Sequence, residues 1–311
     1  MAGDDLGVLL MAYGTPERPA DLEAYYTDIR RGRPPAPEQL ADLRRRYDAI
    51  GGLSPLAALT RAQAADLQAE LDRRSAEQGA GAPRWHVALG LKHASPRIEE
   101  GVDALVAAGV RRAVAIVLAP HYSALSVGEY LERAGAAAGD ALEIVPVRSW
   151  GTHPGLVALL AERVQQAMAR FPATDRVELL VTAHSLPQRA LTVDDPTYPA
   201  QLEATGAAIV AVVGVERWRI AWQSAGRTPE PWIGPDILDV IRMLPDDDVH
   251  GVVVCPAGFT SDHLEVLYDV DIEARRVAED AGLHLERTAS LNDDPRFMAL
   301  LADLAEGARE P

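Results

Sequence analysis

The sequence predicts an α/β fold made of two parallel sheets covered by helices. Short runs of aliphatic and β-branched residues alternate with longer stretches that repeat apolar residues at helical spacing, a pattern typical of parallel strands joined by helices. The length of 311 residues suits two domains. Gly and Pro interrupt the periodicity at 148–157, so we predict one domain over 1–150 and a second over 151–311.

Eight segments fit strands, four in each half, because each is a short apolar run bounded by turn residues. In the first half they are 6–13, 86–91, 113–119 and 142–147. In the second half they are 177–183, 218–222, 249–255 and 284–288. We expect each set to form a four-stranded parallel sheet. Because ligands bind at the carboxyl ends of parallel strands, we also expect a cleft between the two domains.

Composition excludes several classes of protein. The formal net charge of −16 argues against binding to nucleic acid or to anionic membranes. The longest apolar run, at 206–215, is about half of the roughly 20 residues that a membrane helix needs. The N-terminus lacks the basic and apolar regions of a signal peptide. We therefore expect a cytoplasmic protein.

The single cysteine, Cys255, can form neither an internal disulfide nor an iron–sulfur cluster with four thiolate ligands. A bound metal would need His, carboxylate or Tyr ligands. The sequence also lacks a G-x-G-x-x-G motif after a strand and a P-loop, so it gives no support for a nucleotide cofactor.

Polar residues that can carry chemistry follow the predicted strands. They are Tyr13, Lys92, His93, His121, Tyr122, Ser123, His184 and Ser185. Because the carboxyl ends of parallel strands share an edge, we expect a site lined by His and Tyr. His184 itself, in "VTAHSLP", fits a core residue, a turn residue, a base or a metal ligand.

The segment 261–282 fits a helix with Ser261 as its N-cap. Four acidic residues in this segment are spaced by three, four and four positions and would share one face. They are Asp262, Glu265, Asp269 and Glu273. Such a face is either solvated surface or a path for protons and divalent cations, and the sequence favours neither. In the second case Glu265 would lie deepest and face His184, and this pair suits Fe²⁺ or another borderline divalent metal.

Residues 30–46 form a basic island, with six arginines and two acidic residues in an acidic chain. Arginine forks bind carboxylates bidentately, so the island indicates an anionic small molecule, although such charge runs also occur on solvated helix faces. The arginines considered for this role are Arg30, Arg31, Arg33 and Arg46. Nearby aromatic residues offer flat contact surfaces or belong to the core. They are Tyr13, Tyr25, Tyr26 and Tyr47.

Ordered motifs extend along nearly the whole chain. They include "LLMAYGTP", "YYTDIRRGRPP", "RYDAIGGLSPL", "IVLAPHYS", "TAHSLP", "WQSAGRTPEPWIGPD" and "GFTSDHLEVLYDVDIE". With these motifs the chain resembles the ferrochelatase family, and within it the soluble bacterial enzymes that act on coproporphyrin III. The resemblance implies two Rossmann-like domains of the chelatase superfamily with the active-site cleft between them. It also implies insertion of Fe²⁺ into coproporphyrin III, which releases two protons and gives coproheme in haem b biosynthesis.

The resemblance also assigns roles to single residues. It implies that His184 and Glu265 are the catalytic metal-site pair, with His184 accepting pyrrole protons, and that Tyr13 is the axial ligand of product iron. It implies that Asp269 and Glu273 form an outer site for Mg²⁺ or another divalent ion. The residues implied to contact the porphyrin are Tyr13, Arg30, Arg46, Tyr47, Ser54 and Tyr130, with Arg31, Lys92, Tyr26 and Ser224 as further candidates.

The same resemblance implies a monomer with no permanently bound cofactor and no iron–sulfur cluster, for which Fe²⁺ is a substrate. It implies transient contacts with the preceding oxidase and the following coproheme decarboxylase. Coproporphyrin III carries four propionates and protoporphyrin IX two, so the basic island favours the former. The alternatives are a non-catalytic porphyrin or haem carrier, in which Tyr13 only ligates iron, and a chelatase for another metal or tetrapyrrole, such as protoporphyrin IX. His93 and His121 are expected to serve the fold or the surroundings of the site.

Overall fold

The chain folds into two α/β units, each with its own parallel sheet. The computed structural model describes residues 5–192, 194, 196–226 and 228–308. Both sheets have four strands, and in both the second strand in spatial order comes first along the chain. Within the described part of the chain, no helix is both long enough and apolar enough to cross a membrane.

The division into units follows the chain with two exceptions. The first unit comprises the residues up to Leu118, Ser126–Arg148 and the segment from Asn292, and the second comprises Ala119–Leu125 and Ser149–Leu291. The change of unit after Arg148 lies close to the predicted boundary at 150. The segment Ala119–Leu125 and the last helix depart from that prediction, because each groups with the half of the chain to which it does not belong in sequence.

The first unit has the strand order β2-β1-β3-β4, with all neighbours parallel. Its strands are β1 (Asp5–Ala12), β2 (Arg84–Leu91), β3 (Arg112–Val117) and β4 (Glu143–Val147). Its helices are α1 (Leu22–Ile29), α2 (Pro37–Ala49), α3 (Leu56–Gln78), α4 (Ile98–Ala107), α5 (Val127–Ala138) and α11 (Pro295–Ala308). The central strand β1 is buried from Gly7 onward, as expected for a strand covered by helices on both faces.

The second unit repeats this arrangement with the order β6-β5-β7-β8. Its strands are β5 (Val177–His184), β6 (Trp218–Gln223), β7 (Gly251–Cys255) and β8 (His284–Arg287). Its helices are α6 (Pro154–Met168), α7 (Tyr198–Val213), α8 (Ile237–Met243), α9 (Leu264–Leu267) and α10 (Arg275–Asp280), with a π-helix at Asp269–Ala274. Short 3₁₀ turns occupy Pro19–Asp21, Gln188–Thr192 and Leu244–Asp247.

The predicted strands are confirmed, since each observed end lies within two residues of the expected one. The predicted helix over 261–282 is wrong in two respects. Its first helical residue is Leu264, with His263 as N-cap, so Ser261 lies in the turn ahead of it. A π-helix then separates α9 from α10. The spacing of apolar residues cannot reveal a π-helix, because its turn contains only one residue more than an α-helical turn and its composition is the same.

The strand order indicates where a ligand can bind in each sheet. In each sheet the chain first moves to one side of the first strand, from β1 to β2 or from β5 to β6, and then crosses back to the other side, where β3 or β7 lies. Ligands of open parallel sheets bind at the carboxyl ends of strands beside such a reversal. His184 ends β5, and Glu265 follows β7, so both come from strands that flank the reversal in the second sheet.

Two glycines in helices of the first unit have opposite surroundings. A Cβ atom at Gly101, in α4, would lie 2.8 Å from the Leu89 carbonyl oxygen and 2.8 Å from Leu9 Cδ1. A Cβ atom at Gly135, in α5, would meet no atom within 4 Å. Gly101 is therefore needed for the close approach of α4 to the sheet, whereas Gly135 is not needed for packing.

We expect Gly101→Ala to lower the free energy of unfolding and Gly135→Ala to raise it. Alanine gains about 1 kcal/mol of helix propensity at either position, but overpacking at Gly101 costs about 1–3 kcal/mol. Chemical denaturation of both variants, beside the unmodified protein, measures the sign of each change in the free energy of unfolding. Stabilisation of the protein by Gly101→Ala would show that α4 can move away from β2 without cost.

Candidate active site

The ends of β5 and β7 bring a histidine and a carboxylate together. His184 is the last residue of β5, and Glu265 is the second residue of α9. The distance from His184 Nε2 to Glu265 Oε1 is 3.6 Å, and the two side chains are 33% and 35% exposed. This separation is longer than a direct hydrogen bond, so the two groups attract each other mainly as charges. The structure thus brings together the two residues singled out for the metal site.

Main-chain carbonyls orient two imidazoles toward Glu265. His184 Nδ1 donates to the Ser185 carbonyl oxygen, and His263 Nδ1 donates to the Ser261 carbonyl oxygen at 2.9 Å. Because a carbonyl only accepts, each Nε2 is left to face the carboxylate; that of His263 lies 3.7 Å from Glu265 Oε2. The sequence reasoning missed His263, although a histidine two positions before Glu265 in "SDHLE" is a signal that could have found it.

Electrostatics fix the charge state of this pair. Burial alone would lower the pKa of His184, but the charge of Glu265 outweighs it and raises that pKa to about 9. Burial likewise disfavours the ionised form of Glu265, but the His184 imidazolium holds the pKa of Glu265 well below its usual range. At neutral pH the ligand-free pair is therefore imidazolium and carboxylate, and it carries one proton.

Aromatic residues surround His184 in the second unit. The Tyr198 hydroxyl donates to the His184 carbonyl oxygen at 3.2 Å, and its ring lies 5.3 Å from that of Trp222. The Trp232 ring centroid lies 6.4 Å from that of His184. Burial, assisted by the charge of Glu265, raises the pKa of Tyr198, so this phenol stays neutral. None of the three was singled out from the sequence, in which large aromatic residues fit a core equally well.

The prediction that four acidic residues share one helix face is wrong for Asp262, which lies ahead of the first helical residue, Leu264. Asp262 precedes α9, accepts from Ser290 Oγ at 2.7 Å and pairs with Arg287 at 3.2 Å. Asp269 begins the π-helix, is buried and accepts from Ser224 Oγ. Among the described residues, no three His, Cys, Asp or Glu side chains lie close enough together to hold a metal ion. The outer divalent site at Asp269 and Glu273 stays a prediction.

Tyr13 has its own supporting cluster in the first unit. It follows β1, is 41% exposed, and its ring centroid lies 4.6 Å from that of His93. His93 donates its main-chain N–H to the Tyr13 carbonyl oxygen at 2.9 Å, and its Nδ1 lies 2.7 Å from Asp28 Oδ2. Arg97 donates to both oxygens of Asp28, at 3.0 and 3.2 Å. His93 therefore belongs to the surroundings of Tyr13.

His121 serves the packing of the second unit. It is 2% exposed, and its Nε2 lies 2.9 Å from Thr205 Oγ1. Burial lowers the pKa of His121 to about 4, so the ring is neutral at physiological pH. Its contact with Thr205, which also donates to the Gly151 carbonyl oxygen at 2.9 Å, ties Ala119–Leu125 to this unit.

Lys92 and Arg31 share one carboxylate. Lys92 Nζ lies 2.5 Å from Glu129 Oε2 and 5.1 Å from the centroid of the buried Tyr130 ring. An Arg31 guanidinium nitrogen lies 3.5 Å from Glu129 Oε1, and this side chain is 82% exposed. Two cations on one carboxylate leave a local excess of positive charge.

The other arginines of the basic island differ in exposure. Arg45 and Arg46 both pair with Asp42, at 2.5 and 3.5 Å, but their side chains are 72% and 23% exposed. The Arg30 guanidinium lies 5.7 Å from the centroid of the Tyr26 ring. The island is therefore partly neutralised by its own carboxylate Asp42.

Three residues predicted to contact the porphyrin are buried, namely Tyr47, Ser54 and Tyr130. The Tyr47 hydroxyl lies 3.1 Å from Thr15 Oγ1, and Ser54 Oγ accepts the Leu56 N–H at 3.3 Å, at the start of α3. Both side chains are less than a tenth exposed. In the ligand-free chain their polar atoms thus have internal partners. Their proposed role toward a ligand stays a prediction.

The fold of the chain is that of known metal chelatases. SirB from Bacillus subtilis, solved with Fe³⁺, is 15% identical, and the likeness covers 98% of this chain and 97% of SirB with a TM-score of 0.58. The sirohydrochlorin chelatase SirB from Bacillus subtilis subspecies spizizenii, solved with cobalt, gives 14% identity and a TM-score of 0.55 over 98% and 96% of the two chains. At this identity the likeness concerns the fold alone.

Sequence comparison identifies the family. The family model described as ferrochelatase matches residues 5–309. The coproporphyrin III ferrochelatase of Geobacillus thermodenitrificans is 46% identical over 308 residues, which cover 97% of this chain and 95% of the relative. The ferrochelatase of Thermus thermophilus is 45% identical over 316 residues, covering 97% and 99%. The chain belongs to the ferrochelatase family, which confirms the resemblance stated above.

We expect the His184 imidazole to titrate near pH 9 in the ligand-free protein. In Glu265→Gln its pKa should fall to its ordinary value of about 6.5 or below, because burial then acts without the carboxylate charge. Since the folded pKa of His184 exceeds its unfolded one and that of Glu265 lies below its unfolded one, the pair stabilises the fold fully between about pH 4.5 and pH 6.5. This contribution is lost as the pH rises toward 9, where His184 loses its proton, and as the pH falls below about 4.5, where the carboxyl of the unfolded chain takes up a proton.

NMR titration of the imidazole resonances measures this pKa directly. His263→Gln is the matched control, because it removes the second imidazole and keeps the Glu265 charge, and His184 should stay protonated at neutral pH. A pKa near 6.5 in the unmodified protein would contradict the assignment of an imidazolium.

Proposed function

We propose that this protein inserts Fe²⁺ into coproporphyrin III to give coproheme. Two pyrrole N–H bonds break, four iron–nitrogen bonds form and two protons leave, so the reaction needs no oxidant or reductant. The proposal is supported by relatives named coproporphyrin III ferrochelatase, which include those of Geobacillus thermodenitrificans and of Listeria monocytogenes. The latter is 42% identical over 301 residues, covering 95% of this chain and 96% of the relative.

The observation that carries the proposal is the His184–Glu265 pair at the reversal of the second sheet. Structural metal sites enclose their ion with a full set of protein ligands, whereas sites that exchange ligands keep positions open. A site with only two protein ligands, His184 and Glu265, suits an Fe²⁺ ion that binds briefly and is then transferred to the porphyrin. A carboxylate and an imidazole also suit Fe²⁺ better than a soft metal.

The proton on this pair constrains the mechanism. An imidazolium can neither bind Fe²⁺ nor accept a pyrrole proton, so His184 must first release the proton that it holds in the ligand-free state. Glu265 remains ionised and offsets the charge of an arriving cation. His184 then acts as acceptor for a proton from the ring. In this scheme the site loses one proton before it receives the next.

Binding energy from the rest of the ring drives the difficult part of the reaction. A flat porphyrin keeps its nitrogen lone pairs and protons in the ring plane, and bending the ring exposes them. Contacts to the propionates, made in our proposal by Arg30 and Arg46, can supply the energy for this distortion. Tyr13, which is exposed at the end of β1, is proposed as the axial ligand of product iron.

We expect multiple turnovers when the protein is incubated anaerobically with Fe²⁺ and coproporphyrin III, followed by the absorbance change as iron enters the ring. His184→Ala should lower the rate by about 100-fold or more, the usual scale for a positioned acid or base. The matched control is His284→Ala, since His284 is 58% exposed and lies at β8. Tight porphyrin binding without iron insertion would contradict the proposed enzymatic function and indicate a porphyrin carrier.

We expect the choice between porphyrins to depend on Arg46. Arg46→Ala should raise KM for coproporphyrin III by about 10-fold, the scale of one charged hydrogen-bonded contact, with a smaller effect on protoporphyrin IX. Arg45→Ala is the control, because it pairs with the same Asp42 and is 72% exposed. Equal effects of the two substitutions would show that net charge, rather than a specific contact, attracts the substrate.

A further inference from the structure

A buried amide links the strand that carries His184 to the helix that carries Glu265. Gln223 ends β6, is 0% exposed and lies opposite His184 in the sheet register. Its main-chain carbonyl accepts the Ser185 N–H at 2.8 Å. Its side-chain Nε2 donates to the Glu265 carbonyl oxygen at 2.9 Å. Gln223 thus contacts the backbone next to His184 and the backbone of Glu265 itself.

The amide has a single allowed orientation. The Glu265 carbonyl oxygen can only accept, so the amide nitrogen must face it. Gln223 Oε1 then faces Thr182 Oγ1, whose hydroxyl donates to it at 2.9 Å. Thr182 is also 0% exposed and lies in β5, two residues before His184. Hydrogen bonds therefore connect β5 to α9 through Gln223. The amide oxygen and nitrogen of Gln223 cannot exchange places, because the Glu265 carbonyl would then face a second acceptor.

Two further contacts hold the same segment against the strand ends. The Gly258 N–H donates to the Thr182 carbonyl oxygen at 3.0 Å, and a Cβ atom at Gly258 would lie 2.5 Å from Ala183 Cβ, so only glycine allows this approach. Ser224 Oγ, next to Gln223, donates to Asp269. The backbone before, at and after Glu265 is therefore fixed from β5 and β6.

We propose that Gln223 is a positioning residue that sets the separation of His184 and Glu265. This inference rests on the proposed function, because the pair must do the chemistry for its spacing to matter. The two side chains are 3.6 Å apart and make no direct hydrogen bond that would fix one against the other. Their spacing therefore depends on the positions of the two backbone segments. The Gln223 side chain, at the end of β6, is hydrogen-bonded to the Glu265 backbone and holds it against the sheet.

The test compares two buried glutamines of the second unit. Gln223→Met keeps the length of the side chain and removes its donor, and we expect kcat to fall by about 10–100-fold, as for other residues that orient metal-site ligands. KM for coproporphyrin III should stay within about two-fold. Gln201→Met is the control, because Gln201 is 8% exposed and its side chain bonds, among described contacts, only to main chain and to Ser149. It should lower stability with kcat unchanged.

Thr182 supplies a second, milder pair of variants in case Gln223→Met fails to fold. Thr182→Val removes the hydroxyl that holds Gln223 Oε1 and should lower kcat in the same way but less, whereas Thr182→Ser keeps that hydroxyl and should restore kcat. A rise in KM with kcat unchanged, or an equal fall of kcat in Gln201→Met, would overturn the positioning role.

The failure of this inference is distinguishable from that of the proposed function. If the unmodified protein inserts no iron, the proposed function fails whatever the variants do. The crystal structure of Gln223→Met then still tests the geometry, because an Nε2 to Oε1 separation unchanged from 3.6 Å would show that Gln223 does not set it.

Discussion

The burial of one central strand in each sheet determines where polar chemistry can occur. In β5 the residues from Glu178 to Ala183 are buried, and His184 is the first to regain exposure. A strand covered on both faces accepts a polar side chain only where a partner satisfies it, as Arg217 and Arg219 do for Glu178 at 3.3 and 2.6 Å. Reactive groups are thereby confined to the strand ends, where the reversal of strand order opens space for a ligand.

The two units use similar residues at these ends with different electrostatic results. In the first unit the hydrogen bonds from Arg97 to Asp28, together with the one from His93, keep the pKa of Asp28 low. Burial lowers the pKa of His93 despite this carboxylate. In the second unit Glu265 faces imidazoles only, and the pKa of His184 is raised. A guanidinium does not lose its proton at accessible pH, whereas an imidazolium does, so the His184–Glu265 pair can release a proton that the Arg97–Asp28 pair cannot.

Much of this could be predicted from the sequence, because the strands and the His184–Glu265 pair depend on local features. Apolar runs mark buried strands, and the residue types at their ends are visible directly. The π-helix was not predictable, since it depends on tertiary contacts rather than on periodicity. Asp262 was misplaced for a related reason, because its partner Arg287 lies in a distant strand. The role of Gln223 was also not predictable, since no sequence pattern distinguishes a buried, hydrogen-bonded glutamine at a strand end from an exposed one.

The charge distribution is compatible with an acidic chain that binds the proposed anionic substrate. The net charge of −16 would repel a ring with four propionates if it acted at long range. At physiological ionic strength, however, charges more than about 8 Å apart are largely screened, so the ligand responds to nearby groups. The candidate groups in the first unit include Arg31 and Lys92, which share Glu129, and the basic island with six arginines and two acidic residues. A local excess of positive charge in the basic island is therefore compatible with the proposed binding of propionates by an acidic chain.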